Sequence, residues 1–412
     1  EQDMTNTATP MPTVRDAASP LDPPPEYHAL QEEAPIHWVR FPNGTEGWLV
    51  TRFDEGSQVF ADPRMSPRRQ RHDNREGEAG EGAGSAENSL PPLFVMMDEP
   101  DHGAYRKLLT GKFTPKAVAK NLQPYIDQIV DEHLDAIGSA TDPVDLVEAL
   151  CLPIPCLVIC EILGVPYADR DGFHGATEAM MDMGRTREER DEGARWLMGY
   201  ISELIETKRN QPESDGLISE LIRTAAEGET ILTDKDLTGI CALLLFAGHD
   251  TTAAMLGLSI MTLLTHPGKW EELRENPDKI GPAIEELLRY LTIVQFGLGR
   301  VALEDVEIGE AQIRQGDLVV VAMPIANRDP RIFTDPNVPD FDRKTTRHLA
   351  FGYGVHQCLG QNVARAELKT VIPKLIERFP DLHLAVDAED VPMDALGTNY
   401  GVRKLPVNVT RP

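Results

Sequence analysis

"FGYGVHQCLG" (residues 351–360) places three glycines, a phenylalanine, a histidine and a cysteine within ten positions. A cysteine that only packs behaves as a small hydrophobe and is usually buried. Cys358 sits instead in a flexible, polar loop. The glycines at 352, 354 and 360 let the main chain turn sharply and aim its N–H groups inward. A helical pattern begins at about Leu359, which would bring a positive helix end beside the sulfur. Such a loop stabilises a thiolate. Two chemistries use one: an activated nucleophile, with His356 as the base two residues away, or a soft metal ligand. A haem-iron ligand would further require a flat apolar face and cations for two propionates. The loop alone leaves both open.

The rest of the composition narrows the setting. The 412 residues carry a net charge of −27, which argues against a nucleic-acid binder, whose affinity rests on basic residues facing phosphates. Five cysteines, Cys151, Cys156, Cys160, Cys241 and Cys358, are too few and odd in number for a disulfide framework, so a reducing, cytoplasmic setting is expected. Cys156 and Cys160 share a helical face. No histidine or carboxylate repeats their spacing, so they read as small buried hydrophobes rather than metal ligands. Residues 1–25 are polar and Pro-rich and read as a flexible arm, with Met4 as the expected natural start. They contain no signal-peptide or membrane-anchor pattern. Residues 26–412 are expected to form a single domain, soluble and monomeric.

Along the chain, "IHWVRFPNGTEGWLVTR" (36–52) reads as a hairpin turned at Asn43-Gly44. "RRQRHDNREGEAGEGAGSAENS" (68–89) has no apolar anchor, and residues 68–100 are read as a lid loop. Residues 102 to about 270 follow a helical pattern. After 297, short strands are separated by glycine turns, and one more helix follows the cysteine loop. The fold class is therefore mainly α with a minor β region.

"ILTDKDLTGICALLLFAGHDTTAAMLGLSIMTLLTHP" (231–267) contains a central helix over 233–266. Thr233 and Asp236 form a capping box at its start. At 1.5 Å per residue it is roughly 45 Å long. It is apolar nearly all round, but His249, Asp250, Thr251 and Thr252 fall at its middle, where lipid tolerates charge least. It is therefore read as the core helix of a soluble protein and not as a membrane span. Gly248 weakens the helix, and Thr251 can return its hydroxyl to the Ala247 carbonyl. Both predict a local bulge. Asp250 in an apolar surround should have a raised pKa. A carboxylate, a hydroxyl and a loosened helix form a proton relay, or else a kink with satisfied polar groups. Further along, "IEELLRYL" sets Glu286 and Arg289 on one helix face, and Arg343 can complete a buried Glu–Arg–Arg network.

At every fixed position the cysteine loop resembles the haem-binding loop of the cytochrome P450 superfamily, Phe-Gly-x-Gly-x-His-x-Cys-x-Gly. "AGHDTT" is similar to the family's oxygen-binding helix, "ELLR" to its Glu-x-x-Arg signature, and "DHGAYRKLL" to its His-x-x-x-Arg haem-side motif. Their order and spacing extend the resemblance over nearly the whole chain. The soluble, actinobacterial members resemble it most. The resemblance implies a cytochrome P450 fold with the long central helix over haem b (iron protoporphyrin IX). It implies Cys358 as the axial thiolate. His102, Arg106, Arg300 and His356 would hold the propionates. Phe351 would pack beside the thiolate, and Gly352 would shape its loop. Ala247 and Gly248 would border the oxygen groove, and Asp250 and Thr251 would deliver protons during O2 cleavage. Glu286, Arg289 and Arg343 would be structural. One departure stands out: "FTDPNVPDFDRK" (333–344) lacks the family's common Pro-x-Arg-Phe form.

The implied activity is a monooxygenase that inserts one oxygen atom from O2 into a lipophilic small molecule, by hydroxylation or epoxidation of a macrolide, polyketide, terpenoid or steroid-like substrate. Leu93, Phe94, Val95, Met180, Met181, Leu243, Phe246, Val294, Phe296 and Leu396 are expected to line its pocket. Electrons would come from a ferredoxin and its ferredoxin reductase. Residues 102–126 carry five basic residues and no acid, and residues 343–369 carry five against Glu367. Against a net −27 these stretches predict a basic docking patch. Two other activities are kept open. One is a peroxide-driven or non-oxygenase haem-thiolate enzyme, against which the Asp250–Thr251 pair argues. The other is a haem-binding sensor or carrier.

Overall fold

Ile36–Arg40 and Glu46–Val50 form the expected antiparallel hairpin, with Trp38 opposite Trp48. Ile36 and Val50 enter one apolar cluster while Val39 and Leu49 enter another, so the two-residue period of the strands serves both faces of the hairpin. The computed structural model of the chain describes residues 8–68, 93–211, 213–228, 232–344 and 347–409. Most of the expected lid loop, residues 69–92, lies outside the described residues. The chain divides into two compact units. One comprises Glu1–Gly80, Val95–Pro100 and Glu285–Cys358; the other comprises Glu81–Phe94, Asp101–Ile284 and Leu359–Pro412.

The first unit is built on a six-stranded sheet. Its order is Thr9–Pro10, Ile36–Arg40, Glu46–Val50, Leu318–Val321, Leu298–Ala302 and Met65–Ser66. The run Leu318–Val321 is buried on both faces, as continuous Val-rich strands are in covered sheets. One apolar cluster gathers Phe53, Phe60, Val319, Val321, Phe333 and Leu349. A second gathers Tyr27, Val39, Leu49, Val320 and Ile325.

The N-terminal arm differs from its expectation. Thr9 and Pro10 pair in parallel with Val39 and Arg40, and Met11 N–H donates to the Arg40 carbonyl. Arg328 is fully buried and reaches Asp22 at 2.6 Å. It also stacks over the Tyr290 ring at 3.8 Å and donates to the Leu21 and Tyr290 carbonyls. A buried guanidinium requires such partners, and the arm supplies them. Residues 8–25 are therefore held to the sheet rather than flexible.

The second unit is helical. Its central helix, Asp234–Thr265, opens on the expected capping box: the Asp236 carboxylate accepts from Thr233 N–H, and the Thr233 hydroxyl accepts from Asp236 N–H. By length and a mean hydropathy of 1.4 it could cross a membrane, but 61% of that window is buried in the protein. The helix is surrounded by Pro153–Leu163, Arg187–Arg209 and Gln361–Arg378. No bulge interrupts it. The reason lies at Gly248, where an added Cβ would stand 2.7 Å from Ile159 of Pro153–Leu163. The glycine permits a close helix crossing, and that packing holds the segment helical. Cys156 and Cys160 are buried on Pro153–Leu163, as the apolar reading expected. A small sheet of Val144–Asp145, Pro406–Asn408 and His383–Leu384 completes the unit.

Candidate active site

The cysteine loop belongs to the first unit. Gly354 adopts φ +75°, and a Cβ there would stand 2.6 Å from the Phe60 carbonyl oxygen. Only glycine accepts both the left-handed backbone and that approach. Gly352 shares the left-handed backbone at φ +68° and opens onto free space. The turn closes when Cys358 N–H donates to the Phe351 carbonyl at 2.9 Å. Among the described residues Cys358 is the one exposed cysteine; the other four are buried. The following helix is Gln361–Arg378, with Gly360 at its cap. It begins two residues later than the sequence suggested, because the loop turns through Leu359 and Gly360 before helical backbone starts. Phe351 is half-buried, 5.9 Å from the His348 ring.

The basic candidates are drawn inward in a strongly acidic chain. Arg300 is buried on the strand Leu298–Ala302, its guanidinium over the Phe60 ring at 5.1 Å. His356 is half-buried. In the second unit, His102 and Arg106 lie one turn apart on Asp101–Thr110, so both project from one face. His102 is buried and stacks on Phe94, ring centroids 6.1 Å apart. Arg106 is half-buried. Tyr105 on the same helix donates its hydroxyl to Asp236 at 2.7 Å. This bond fixes the helix to the start of the central one.

An exposed soft thiol on a turn locked by its main chain suits a metal that prefers thiolate. Each unit carries two inward-drawn basic side chains that suit carboxylates, Arg300 and His356 in the first and His102 and Arg106 in the second. The Cys358 turn therefore fits the iron of a haem.

On the central helix, Leu243, Ala247 and Thr251 recur every four residues. Thr251 donates its hydroxyl to the Ala247 carbonyl at 2.8 Å. Asp250 is half-buried, and its carboxylate lies 3.0 Å from His249 Nε2 and 3.7 Å from His174 Nδ1. The raised pKa expected from the sequence is overturned. Burial would raise it, but the His249 and His174 imidazoles and the Thr177 hydroxyl hold the carboxyl below its usual range. His249 is buried, which opposes its charge, yet the Asp250 carboxylate raises its pKa. Sequence reading gave these histidines no role. His249 was visible beside Asp250, but His174 arrives from Arg170–Met181, 75 residues away, with no local signal.

A cavity of about 330 Å³ opens beside this cluster, lined by His174, Met181, Asp250, Ala253, Ala254 and Val402 among others. Of the expected pocket residues it includes Met181. Met181 accepts from Thr398 N–H through its carbonyl and from the Thr398 hydroxyl through Sδ. Leu396, in the same turn, is exposed, and its carbonyl accepts from Met183 N–H. Met180 is half-buried against Gly193. Leu243 is buried and Phe246 half-buried. Phe94 packs on His102, with Leu93 half-buried and Val95 exposed beside it. Val294 and Phe296 pack against the two apolar clusters of the first unit.

Glu286, Arg289 and Arg343 come together in the first unit. Glu286 accepts a bidentate pair from Arg289 at 2.8 and 2.7 Å, and Arg343 Nε lies 3.1 Å from both carboxylate oxygens. Arg289 also donates to the Asn327 and Pro336 carbonyls. Arg343 reaches this position although its segment lacks the Pro-x-Arg-Phe form.

The cytochrome P450 family profile matches residues 179–403. Cytochrome P450 105C1 of a Streptomyces species is 39% identical over 93% of this chain and 95% of its own. The vitamin D3 dihydroxylase of Streptomyces griseolus is 38% identical over 98% of this chain and all of its own. The crystal structure of CYP105P1 in complex with filipin I superposes with a TM-score of 0.89 at 36% identity, covering 98% of this chain and all of that one.

Proposed function

The chain belongs to the cytochrome P450 superfamily and is a monooxygenase, and on that premise we propose that it oxidises a lipophilic secondary metabolite of macrolide or steroid-like size with electrons from a ferredoxin. A relative that acts on vitamin D3 and another seen with filipin I support that substrate class. Cys358 would ligate the iron of haem b. His102, Arg106, Arg300 and His356 would supply positive charge for the propionates, with Phe351 and Gly352 shaping the thiolate loop. When bound, a thiolate-ligated haem activates O2 so that one atom enters a C–H or C=C bond and the other leaves as water.

The remaining work falls to the chain. Release of water consumes two protons in a dry site. Asp250 holds a carboxylate at the junction of the central helix and the cavity, and Thr251 carries a hydroxyl one residue on. The pair is suited to passing protons inward. Ala247 and Gly248 leave the helix surface there free of bulk. Glu286, Arg289 and Arg343 tie the helix carrying the Glu-x-x-Arg motif to the segment before the cysteine loop.

The observation that carries this reading is the single exposed cysteine on a glycine-locked turn, in a chain whose central helix bears an adjacent acid and alcohol. Within the second unit, the helix Gln361–Arg378 meets the first basic stretch. Asn362 donates to the Phe113 carbonyl, and Gln123 donates to Thr370. Lys107, Lys116, Lys120 and Lys369 are exposed and would receive an acidic ferredoxin. In the cytoplasm, a ferredoxin, its reductase and NADPH would sustain turnover. Incubation under 18O2 with a panel of macrolides and sterols should give products carrying one labelled oxygen. Oxidised product without label would refute the reading.

A further inference from the structure

Three lone-pair atoms converge beside the central helix. His174 Nδ1 and His249 Nε2 are 3.3 Å apart, His249 Nε2 and Asp250 Oδ1 are 3.0 Å apart, and His174 Nδ1 and Asp250 Oδ1 are 3.7 Å apart. The other ring nitrogen of His249, Nδ1, faces the Leu245 carbonyl at 3.3 Å. A carbonyl only accepts, so Nδ1 carries the hydrogen. In the neutral imidazole, Nε2 then presents a lone pair to a carboxylate 3.0 Å away. That contact is repulsive unless a cation lies between them. A proton satisfies the His249–Asp250 edge alone. A metal ion satisfies all three edges.

The separations suit a metal. Tetrahedral zinc with bonds of about 2.0–2.2 Å spaces its ligands roughly 3.3–3.5 Å apart, and the three edges bracket that range. Two imidazoles and one carboxylate form a common donor set for borderline divalent cations. The surroundings also match. A ligating histidine typically donates its second N–H to a carbonyl, which fixes its tautomer, as Leu245 does for His249. Phe173 meets the His249 ring edge-on at 5.7 Å and holds its plane. Thr177, on the same helix as His174, returns its hydroxyl to the His174 carbonyl at 2.9 Å and lies 3.4 Å from His249 Nε2. His249 and Asp250 sit on one helix and His174 on another, so no ligand hangs from a loop.

His174 and Asp250 line the cavity of about 330 Å³, whose walls also carry Glu178, Asp182 and Asp394 against Arg403 and Lys404. The acidic excess attracts cations, and the space admits a water ligand.

We infer that His174, His249 and Asp250 form a binding site for a divalent transition-metal ion of the zinc class. A bound ion occupies the lone pair of Asp250 and ties Arg170–Met181 to the central helix. It therefore slows turnover, a consequence that rests on the proton-delivery role proposed for Asp250.

The test is equilibrium dialysis of the haem-loaded protein against Zn2+, with elemental analysis. One zinc per chain is expected beyond the iron. His174 is half-exposed, so His174→Ala should fold with its haem spectrum unchanged and should bind zinc at least about tenfold more weakly. Cys156→Ser, at the thiol near His249, should bind as the wild type does. Zinc K-edge absorption should report two imidazole ligands. No zinc on the wild type, equal affinity in His174→Ala, or loss of zinc in Cys156→Ser would overturn the site. Coupling measured in chelator-dialysed protein separates the two readings. Failure of the relay there leaves zinc stoichiometry untouched, and failure of the zinc site leaves metal-free coupling untouched.

Discussion

The Tyr105 hydroxyl donates to Asp236 Oδ1 at 2.7 Å, while the other oxygen of the same carboxylate closes the capping box of the central helix through Thr233. One acid thus caps the longest helix and anchors the helix that bears His102 and Arg106. Burial and the facing carboxylate push the Tyr105 phenol up to about 12, so it donates at every physiological pH. Tyr105→Phe should cost about 1–3 kcal/mol, as expected for a hydrogen bond to a charged group. It should also speed haem loss to an apo-haem acceptor. A variant with unchanged melting and unchanged haem retention would show that the bond does not position His102 and Arg106.

Thr251→Ala removes the hydroxyl and leaves the helix intact, since the Thr251 bond to Ala247 is a side-chain addition to the ladder. If Thr251 helps to deliver protons, product formed per NADPH should fall by about tenfold or more while peroxide rises, and Thr251→Ser should restore much of the coupling. Oxygen-electrode and peroxide assays read both quantities. Unchanged coupling in Thr251→Ala would count against the relay.

The basic residues around Phe113 and Asn362 should set the association rate with ferredoxin. Lys112 already pairs with Glu220 at 2.6 Å, so the clearer variants are Lys116→Glu and Lys120→Glu. Reversing both should slow reduction severalfold at low salt and flatten its salt dependence. Stopped-flow reduction is the readout. Rates equal to the wild type at low ionic strength would place docking elsewhere.

Glu367 on Gln361–Arg378 is fully buried, its Oε2 has no hydrogen-bond partner, and burial raises its carboxyl well above the usual range. The folded protein therefore keeps a proton that the unfolded chain loses above about pH 4.3. Stability must then fall as pH rises between the unfolded and folded pKa values, by up to about 1.4 kcal/mol per pH unit. Glu367→Gln should match the wild type near pH 4 and exceed it increasingly toward neutrality. Denaturant unfolding across that range measures the difference. A constant gap would show that Glu367 is ionised in the folded state.

Much of this was legible locally. Asn43-Gly44 announced the hairpin, Thr233 and Asp236 the start of the central helix, and the glycines around Cys358 its turn. These signals act within a few residues, where backbone preference and side-chain capping decide the conformation. What failed was set by partners distant in sequence. Asp250 was expected to have a raised pKa because its neighbours are apolar, but His174 enters from another helix. Gly248 looked like a weak point and proved to be a contact with Ile159. Val294 and Phe296 are partly buried against the apolar clusters of the first unit, and an apolar pattern does not by itself distinguish a cavity wall from a core. The arm looked flexible because its sequence is polar, but Arg328, more than 300 positions away, needs Asp22 and Leu21.

The central claim is that the Cys358 thiolate ligates haem iron. The most direct measurement is the absorption spectrum of the dithionite-reduced, haem-loaded protein under carbon monoxide, compared with Cys358→His. The account predicts a Soret band shifted far to the red in the wild type, and its return to the ordinary histidine-haem position in the variant. A wild-type band already at that ordinary position would contradict it.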